Sequence, residues 1–236
     1  MSGTNLLLQS LPSRDFARLE PHLRPYRTSS REELHCRAES DPDVFFPMDS
    51  VSSIVVRGLD GGTLEVATVG SEGMIGLPVF IDSEAVAFDA ITQVPGEGFR
   101  MSCRVLKREL ARKAAFADRI VEYTEAVLLS VGQSGLCARM HSQVQRCARW
   151  LLTIDDRAAR ADYPITHDFL GQMLGVRRAT ITQAIAELKK KRLVQAGKRA
   201  LRIRDRQGLE RVVCECYVQV RTEFDAIRRR WRREGI

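Results

Sequence analysis

Residues 165–194 read ITHDFLGQMLGVRRATITQAIAELKKKRLV. An apolar-periodic segment, Thr166 to Leu174, meets a Gly175-Val176 break, and a second periodic segment runs from Arg177 to Lys190. In the second segment Ile181, Ile185 and Leu188 share one face, while Arg178, Thr182 and Gln183 lie nearer the other. This is the layout of a helix-turn-helix. The first helix and the apolar face of the second bury against a core, and the second helix offers a polar N-terminal edge to a DNA major groove. Thr166 is placed to cap the first helix, with Asp168 in its first turn. That role leaves the same helix end open to a phosphate.

The charge is split along the chain. Residues 139–236 hold 23 Lys and Arg against 11 Asp and Glu, a net of +12, whereas residues 1–138 hold 14 against 19, a net of −5. A basic half joined to an acidic half predicts a polyanion-binding domain attached to something else. Basic patches supply the salt-sensitive, sequence-independent part of DNA affinity.

At 236 residues the chain is long enough for two domains with their own cores. No apolar run approaches the roughly 20 residues that span a bilayer. Leu6-Leu7-Leu8 is too short for the core of a signal peptide, and charges follow at Arg14 and Asp15. A cytoplasmic protein without membrane attachment is expected, its six cysteines mostly thiols.

Residues 4–25 read as one or two short helices broken at Leu11-Pro12-Ser13, with Ser13 placed to cap a helix starting near Arg14. From about residue 26 to 104 short strand-like runs such as 51–56, 63–69 and 85–91 alternate with turn signals, among them Asp60-Gly61-Gly62 and Gly70-Ser71-Glu72-Gly73. They predict a small β-sandwich or barrel. A helix follows from Val105 to Lys113, and a longer one from near Phe116 to about Arg139. In the long helix Ile120, Thr124, Val127, Val131, Ser134 and Ala138 alternate in steps of four and three, the narrow seam of a helix that pairs with a second copy. Gly132 and Gly135 would let backbones approach there. A further helix covers about His141 to Arg157. After the helix-turn-helix, Val194 and Leu201-Arg202-Ile203 flank Gly197-Lys198-Arg199 as a two-stranded wing with a basic tip, and residues 205–233 resume as one helix ending in a basic tail.

This order resembles the Crp/Fnr superfamily of bacterial transcription regulators over essentially the whole chain. The residues that carry the resemblance are Gly70-Ser71-Glu72-Gly73-Met74-Ile75-Gly76 and the run from Ile165 to Asp205. His167-Asp168-Phe169-Leu170, Gly175-Val176-Arg177-Arg178-Ala179-Thr180 and Cys214-Glu215-Cys216-Tyr217 look like one subgroup of it. The resemblance implies an α+β fold in three parts. A cyclic-nucleotide-binding-like β-roll would span residues 1–115, a dimerisation helix 116–139 and a winged helix-turn-helix 140–236. It further implies a homodimer that binds double-stranded DNA and RNA polymerase. Cyclic-nucleotide-binding members have Gly-Glu-Leu after the glycine turn and an Arg-Ser or Arg-Thr pair later. Here Leu77-Pro78 follow Gly76 and the later pair falls near Ala85-Val86. An anion buried there would be unpaired, so the usual cyclic-AMP site is expected to be absent. Only Cys36 precedes residue 100, so the iron–sulfur cluster of other members is not expected either.

Carried onto this chain, the family's base readers are Arg178, Ala179 and Gln183. Arg178 suits a guanine O6/N7 fork, Gln183 an adenine N6/N7, and Ala179 only an apolar contact such as a thymine methyl. Arg177, Thr180, Thr182, Lys198 and Arg199 are placed for phosphates or neighbouring bases. The roll's expected lining, Met74, Ile75, Leu77, Val86 and Phe88, is apolar. It is either filled by its own side chains or holds an apolar or weakly polar effector, which Thr124, Val127 and Val131 would then sense.

No Ser–His–Asp order, P-loop or metallohydrolase spacing is present, and a non-enzyme is expected. Cys214 and Cys216 are two apart, which on a helix points them about 200° away from each other. One is expected in the core and one outside. Cys137 and His141 have the i, i+4 spacing of a helical metal pair, but a hinge is expected between them and no further ligands are evident. The adjacent His35 and Cys36 resemble a haem-ligand pair only weakly. No metal or cofactor is therefore expected. Two rival readings are a sensor or interaction module with only non-specific DNA binding, and a regulator that senses redox state or metal through its cysteines.

Overall fold

The computed structural model describes residues 4–34, 42–59, 61–77, 88–158, 162–197 and 200–234. Two short helices, α1 (Leu6–Gln9) and α2 (Ser13–Leu19), open the chain. Asn5 caps α1 and also donates through Nδ2 to the carbonyls of Pro47 and Gly73, each at 2.8 Å. Ser13 is not the cap expected for α2. Pro12 takes that position, and Ser13 is the first helical residue.

Among the described residues seven strands follow: β1 (Arg24–Arg27), β2 (Glu33–Leu34), β3 (Asp43–Pro47), β4 (Val51–Arg57), β5 (Thr63–Val69), β6 (Phe88–Val94) and β7 (Glu97–Ser102). They form two antiparallel sheets, ordered β1-β7-β3 and β2-β6-β4-β5. Their inward residues, including Val44, Phe46, Val69 and Met101, are fully buried. Of the strand expected over 85–91, the part before Phe88 lies outside the described residues.

Next come α3 (Cys103–Leu110), α4 (Ala115–Met140) and α5 (Gln143–Asp155). Ser142 and Gln145 close a capping box that starts α5 immediately after α4 ends. The C-terminal half continues with α6 (His167–Leu174), α7 (Arg178–Lys190), a hairpin of β8 (Val194–Ala196) and β9 (Leu201–Ile203), α8 (Arg206–Val212) and α9 (Glu215–Glu234).

The last two helices correct the sequence reading. The single helix expected over 205–233 breaks at Val213-Cys214, and the basic tail is an anchored helix. α9 runs antiparallel along α4 back to the roll. The Gln133 amide meets Gln219, and Glu122 accepts from Arg230 Nη1 at 2.9 Å and from Trp231 Nε1 at 2.5 Å. Phe224, Ile227 and Trp231, spaced to share one face of a helix, pack beside Phe116, Ile120 and Tyr123 in the roll's core. Of the arginines of this run, Arg229, Arg230, Arg232 and Arg233 are exposed, whereas Arg228 is half-buried and turned inward.

The α4 seam packs largely within its own chain. Ile120 and Val127 are buried in the roll's core and Val131 packs against it. The Thr124 hydroxyl donates to the Ile120 carbonyl, and the Ser134 hydroxyl to Val66 of β5 at 2.9 Å. Of the six seam residues only Ala138 is exposed. The apolar side chains that α4 leaves uncovered lie on another face: Val121, Leu128, Leu136 and Met140, with Leu128 65% and Met140 67% exposed. Gly132 and Gly135 share that uncovered side, where an added Cβ would meet nothing.

The two halves are joined by buried polar contacts. Trp150 of α5 donates through Nε1 to Glu65 of β5 at 2.9 Å, and the same carboxylate accepts from Ser53, Thr68 and Gln93. Burial nevertheless pushes the Glu65 carboxyl up from its ordinary range. Arg157, just past α5, donates through Nε to Glu72 in the glycine turn at 2.6 Å, and both side chains are buried. Arg228 of α9 approaches the same carboxylate at 3.8 Å. No helix among the described residues is long and apolar enough to cross a membrane.

Candidate nucleic-acid interface

Thr166 caps α6 as expected, its hydroxyl accepting from the Phe169 amide at 3.2 Å. The helix stops at Gly175, which takes the left-handed conformation (φ 63) and sends its amide back to Gln172. Gly171 is needed for a different reason. An added Cβ there would stand 2.8 Å from the Val176 carbonyl, so only glycine lets the turn fold back against α6.

That turn sets the direction of α7. Ile181, Ala184, Ile185 and Leu188 are buried among residues of α5 and α6. Arg177, Arg178, Ala179, Thr182 and Gln183 are exposed on the other side, and Thr180 is half-buried. The sequence-predicted readers therefore fall on one continuous edge. Arg177, the N-cap of α7, provides no side-chain cap, so the helix opens on amides without that partner. Asp168 lies 3.3 Å from Arg178 Nη1, with both side chains about two-thirds exposed. Such a pair is weak in solvent and gives way readily to a better acceptor. The Thr182 hydroxyl donates to the Arg178 carbonyl and lies 3.1 Å from His167 Nδ1. Burial lowers the affinity of the His167 imidazole for a proton.

Strands β8 and β9 form the expected wing, closed by a Gly197 amide donating to Ala200 at 2.8 Å. Arg202 on β9 makes a two-pronged pair with Asp162, at 2.6 and 2.5 Å. Lys198 and Arg199 lie outside the described residues. Behind the reading edge, Arg31 of the roll donates to the Thr166 hydroxyl at 3.3 Å and stacks 5.5 Å from the Phe169 ring. Nothing in the sequence linked Arg31 to the helix-turn-helix, since 135 residues separate it from Thr166.

The expected effector lining is also placed. Met74, Ile75 and Leu77 are buried in the roll's own core, with Val127 beside them and Val131 packed against that core. Thr124 is half-buried. Val86 and the Phe88 side chain lie outside the described residues. The glycine turn that precedes these residues is filled from above. An added Cβ at Gly73 would lie 2.1 Å from the Tyr123 ring, and the Tyr123 hydroxyl donates to the Met74 carbonyl at 3.1 Å.

Comparison with known proteins matches this geometry. Residues 145–212 match the Crp-like helix-turn-helix domain. The structure of FixK2 from Bradyrhizobium japonicum is similar with a TM-score of 0.66 at 17% identity, covering 81% of this chain and 98% of that one. The chain has the Crp/Fnr fold. Two further solved structures agree. The c-di-GMP-responsive global regulator CLP of Xanthomonas campestris gives a TM-score of 0.65 at 15% identity, over 81% and 98% of the two chains. A putative crp/fnr-family regulator from Eubacterium rectale gives 0.63 at 15%, over 87% and 96%. No curated protein sequence matches the chain. In the Crp/Fnr fold α6 and α7 are the helix-turn-helix, β8 and β9 its wing, and the roll of β1 to β7 the N-terminal part.

Proposed function

We propose that the chain is a homodimeric, sequence-specific transcription regulator that binds an inverted-repeat operator and works without cyclic AMP. The observation that carries this reading is the exposed N-terminal edge of α7, held outward by a buried opposite face. Arg178 would fork onto guanine, Gln183 onto adenine, and Ala179 would meet a thymine methyl. Arg177, Thr180, Thr182 and the open amides of α7 would take phosphates, with Lys198 and Arg199 doing so at the wing tip and Thr166 at the start of α6. Two copies related by a two-fold axis would place their α7 helices in successive major grooves, roughly 34–36 Å apart. The second copy would dock on the uncovered face of α4, through Val121, Leu128, Leu136 and Met140 rather than the buried seam. RNA polymerase is the further partner of a regulator of this kind, and the cytoplasm its place of work. Selection of bound genomic fragments tests the reading. An enriched inverted repeat is expected, whereas retention of DNA without any enriched motif would favour a non-specific module.

Independence from cyclic AMP rests on the glycine turn. Tyr123 occupies the space above Gly73, Glu72 is committed to Arg157, and Met74 and Ile75 fill the roll beneath. A cyclic phosphate entering there would displace a buried ring and find an acid already paired. Calorimetric titration with cyclic AMP or cyclic GMP is expected to show no binding up to millimolar nucleotide. Saturation in the micromolar range by either would refute this.

A further inference from the structure

Cys137, His141, Cys214 and Cys216 come from two distant places in the sequence, Cys137 and Cys214 being 77 residues apart, yet their ligand atoms all lie within 4.8 Å of one another. Cys137 sits in the last turn of α4 and His141 just after it, at the α4–α5 hinge. The break at Val213-Cys214 supplies the other two. Because Cys214 precedes α9 instead of lying on it, the two thiols escape the opposed directions that a continuous helix would impose, and both are buried.

We propose that these four side chains bind one zinc ion tetrahedrally, as a clamp between the foot of α4 and the root of α9. The spacing carries this assignment. Cys137 Sγ lies 3.6 Å from Cys214 Sγ, and Cys216 Sγ lies 3.6 Å from His141 Nδ1. A tetrahedral zinc with bonds of about 2.3 Å to sulfur and 2.0–2.1 Å to nitrogen sets such edges at about 3.8 and 3.6 Å. A multi-iron cluster would spread its thiolates around a larger cage. Three cysteines and one histidine form a closed structural zinc set with no position left for a substrate.

The surroundings fit the same ion. With Nδ1 turned to Cys216, the His141 ring has its other nitrogen, Nε2, 3.1 Å from Glu215 Oε1. This is the carboxylate support that orients a metal-bound imidazole. Cys214 and Cys216 stand at the N-terminus of a 20-residue helix, where the backbone dipole favours thiolates. Three thiolates and one Zn²⁺ leave one negative charge, and the guanidiniums of Arg146 and Arg149 lie near enough to act on it. Arg149 Nε is buried without a hydrogen-bond partner. Since binding energy at a structural zinc site is folding energy, the ion would fix α9 along α4 and hold the hinge from which α5 and the helix-turn-helix depart.

The inference is independent of whether the protein reads DNA, and its test needs no operator. The full chain, purified under reducing conditions without chelator from zinc-supplemented cells, is expected to hold one zinc per chain by elemental analysis. Replacement by Co²⁺ should give thiolate charge-transfer absorption and the intense visible bands of a tetrahedral site. Cys216→Ser should lose the metal, while Cys147→Ala, a cysteine of the same domain outside the group, should keep it. Glu215→Gln changes only an exposed carboxylate. It should retain the stoichiometry but lower zinc affinity on the order of 10–100-fold in chelator competition. Less than a tenth of an equivalent of zinc in fully reduced protein, with no tetrahedral Co²⁺ spectrum, would overturn the assignment. So would a Cys137–Cys214 disulfide found in stoichiometric amount in protein prepared without reductant.

Discussion

Leu128→Glu is expected to convert the protein into a folded monomer that binds its operator more than about 100-fold less tightly, the second half-site having been lost from the avidity. Leu128 stands on the uncovered face of α4, between Val121 and the open backbone of Gly132 and Gly135. In a two-fold interface a residue near the axis meets its own counterpart, so the substitution sets like charges face to face. Because the side chain touches little of its own chain, the monomer should keep its circular dichroism and its melting behaviour. Val127→Glu is the informative contrast. That side chain is buried beside Ile120 and Phe116 in the roll's core, and a carboxylate there is unpaired. It should unfold the sensor half before it separates two subunits. Sedimentation of both variants distinguishes the faces. A Leu128→Glu protein that remains dimeric would remove α4's exposed face as the interface.

The second large effect falls on stability. Glu72→Gln leaves the Arg157 guanidinium buried without its counter-charge, and breaking a buried pair in this way costs about 3–5 kcal/mol. For a chain of this size that corresponds to a fall in Tm on the order of 10 °C. Arg157 also packs 5.2 Å from the Phe224 ring, and Arg228 lies near the same carboxylate, so the loss loosens α5, α9 and the roll together. Adding Arg157→Met to Glu72→Gln removes the stranded charge and should restore much of the stability. Thermal unfolding of the single and double variants checks both statements. A single variant that melts within about 2 °C of the parent would show that the pair does not join the two halves.

What the sequence disclosed, and what it hid, follows from the range of the interactions involved. The helix-turn-helix was legible because its determinants are local. Thr166 caps, Gly175 takes a left-handed turn, and the 181/185/188 spacing fixes the buried side of α7. The partner of the α4 seam was not legible, because a four-three spacing shows that a helix packs without showing against what. Ile120 and Val127 do pack, but on the roll of their own chain. The anchoring role of Trp231 was hidden inside an arginine-rich run, whose charge dominates composition while its spacing to Phe224 and Ile227 dictates burial. The four-residue thiol and imidazole group was invisible for a different reason. It depends on a helix break at Val212-Val213-Cys214 that contains neither glycine nor proline, and on α9 folding back along α4. Two β-branched residues at the break are a weak signal against helix. No local signal reports the fold-back.

The proposed function depends on whether the N-terminal edge of α7 reads bases. Selection of bound genomic fragments should be run in parallel with the parent protein, Arg178→Ala and Arg199→Ala. The parent should enrich an inverted repeat with a guanine in each half-site. Arg178→Ala should lose on the order of 1–3 kcal/mol of affinity and the preference at that one position. Arg199→Ala should keep the motif, weaken all sequences alike and reduce the salt slope by about one. An Arg178→Ala motif identical to the parent's, with an altered motif for Arg199→Ala, would place base reading in the wing and contradict the central claim.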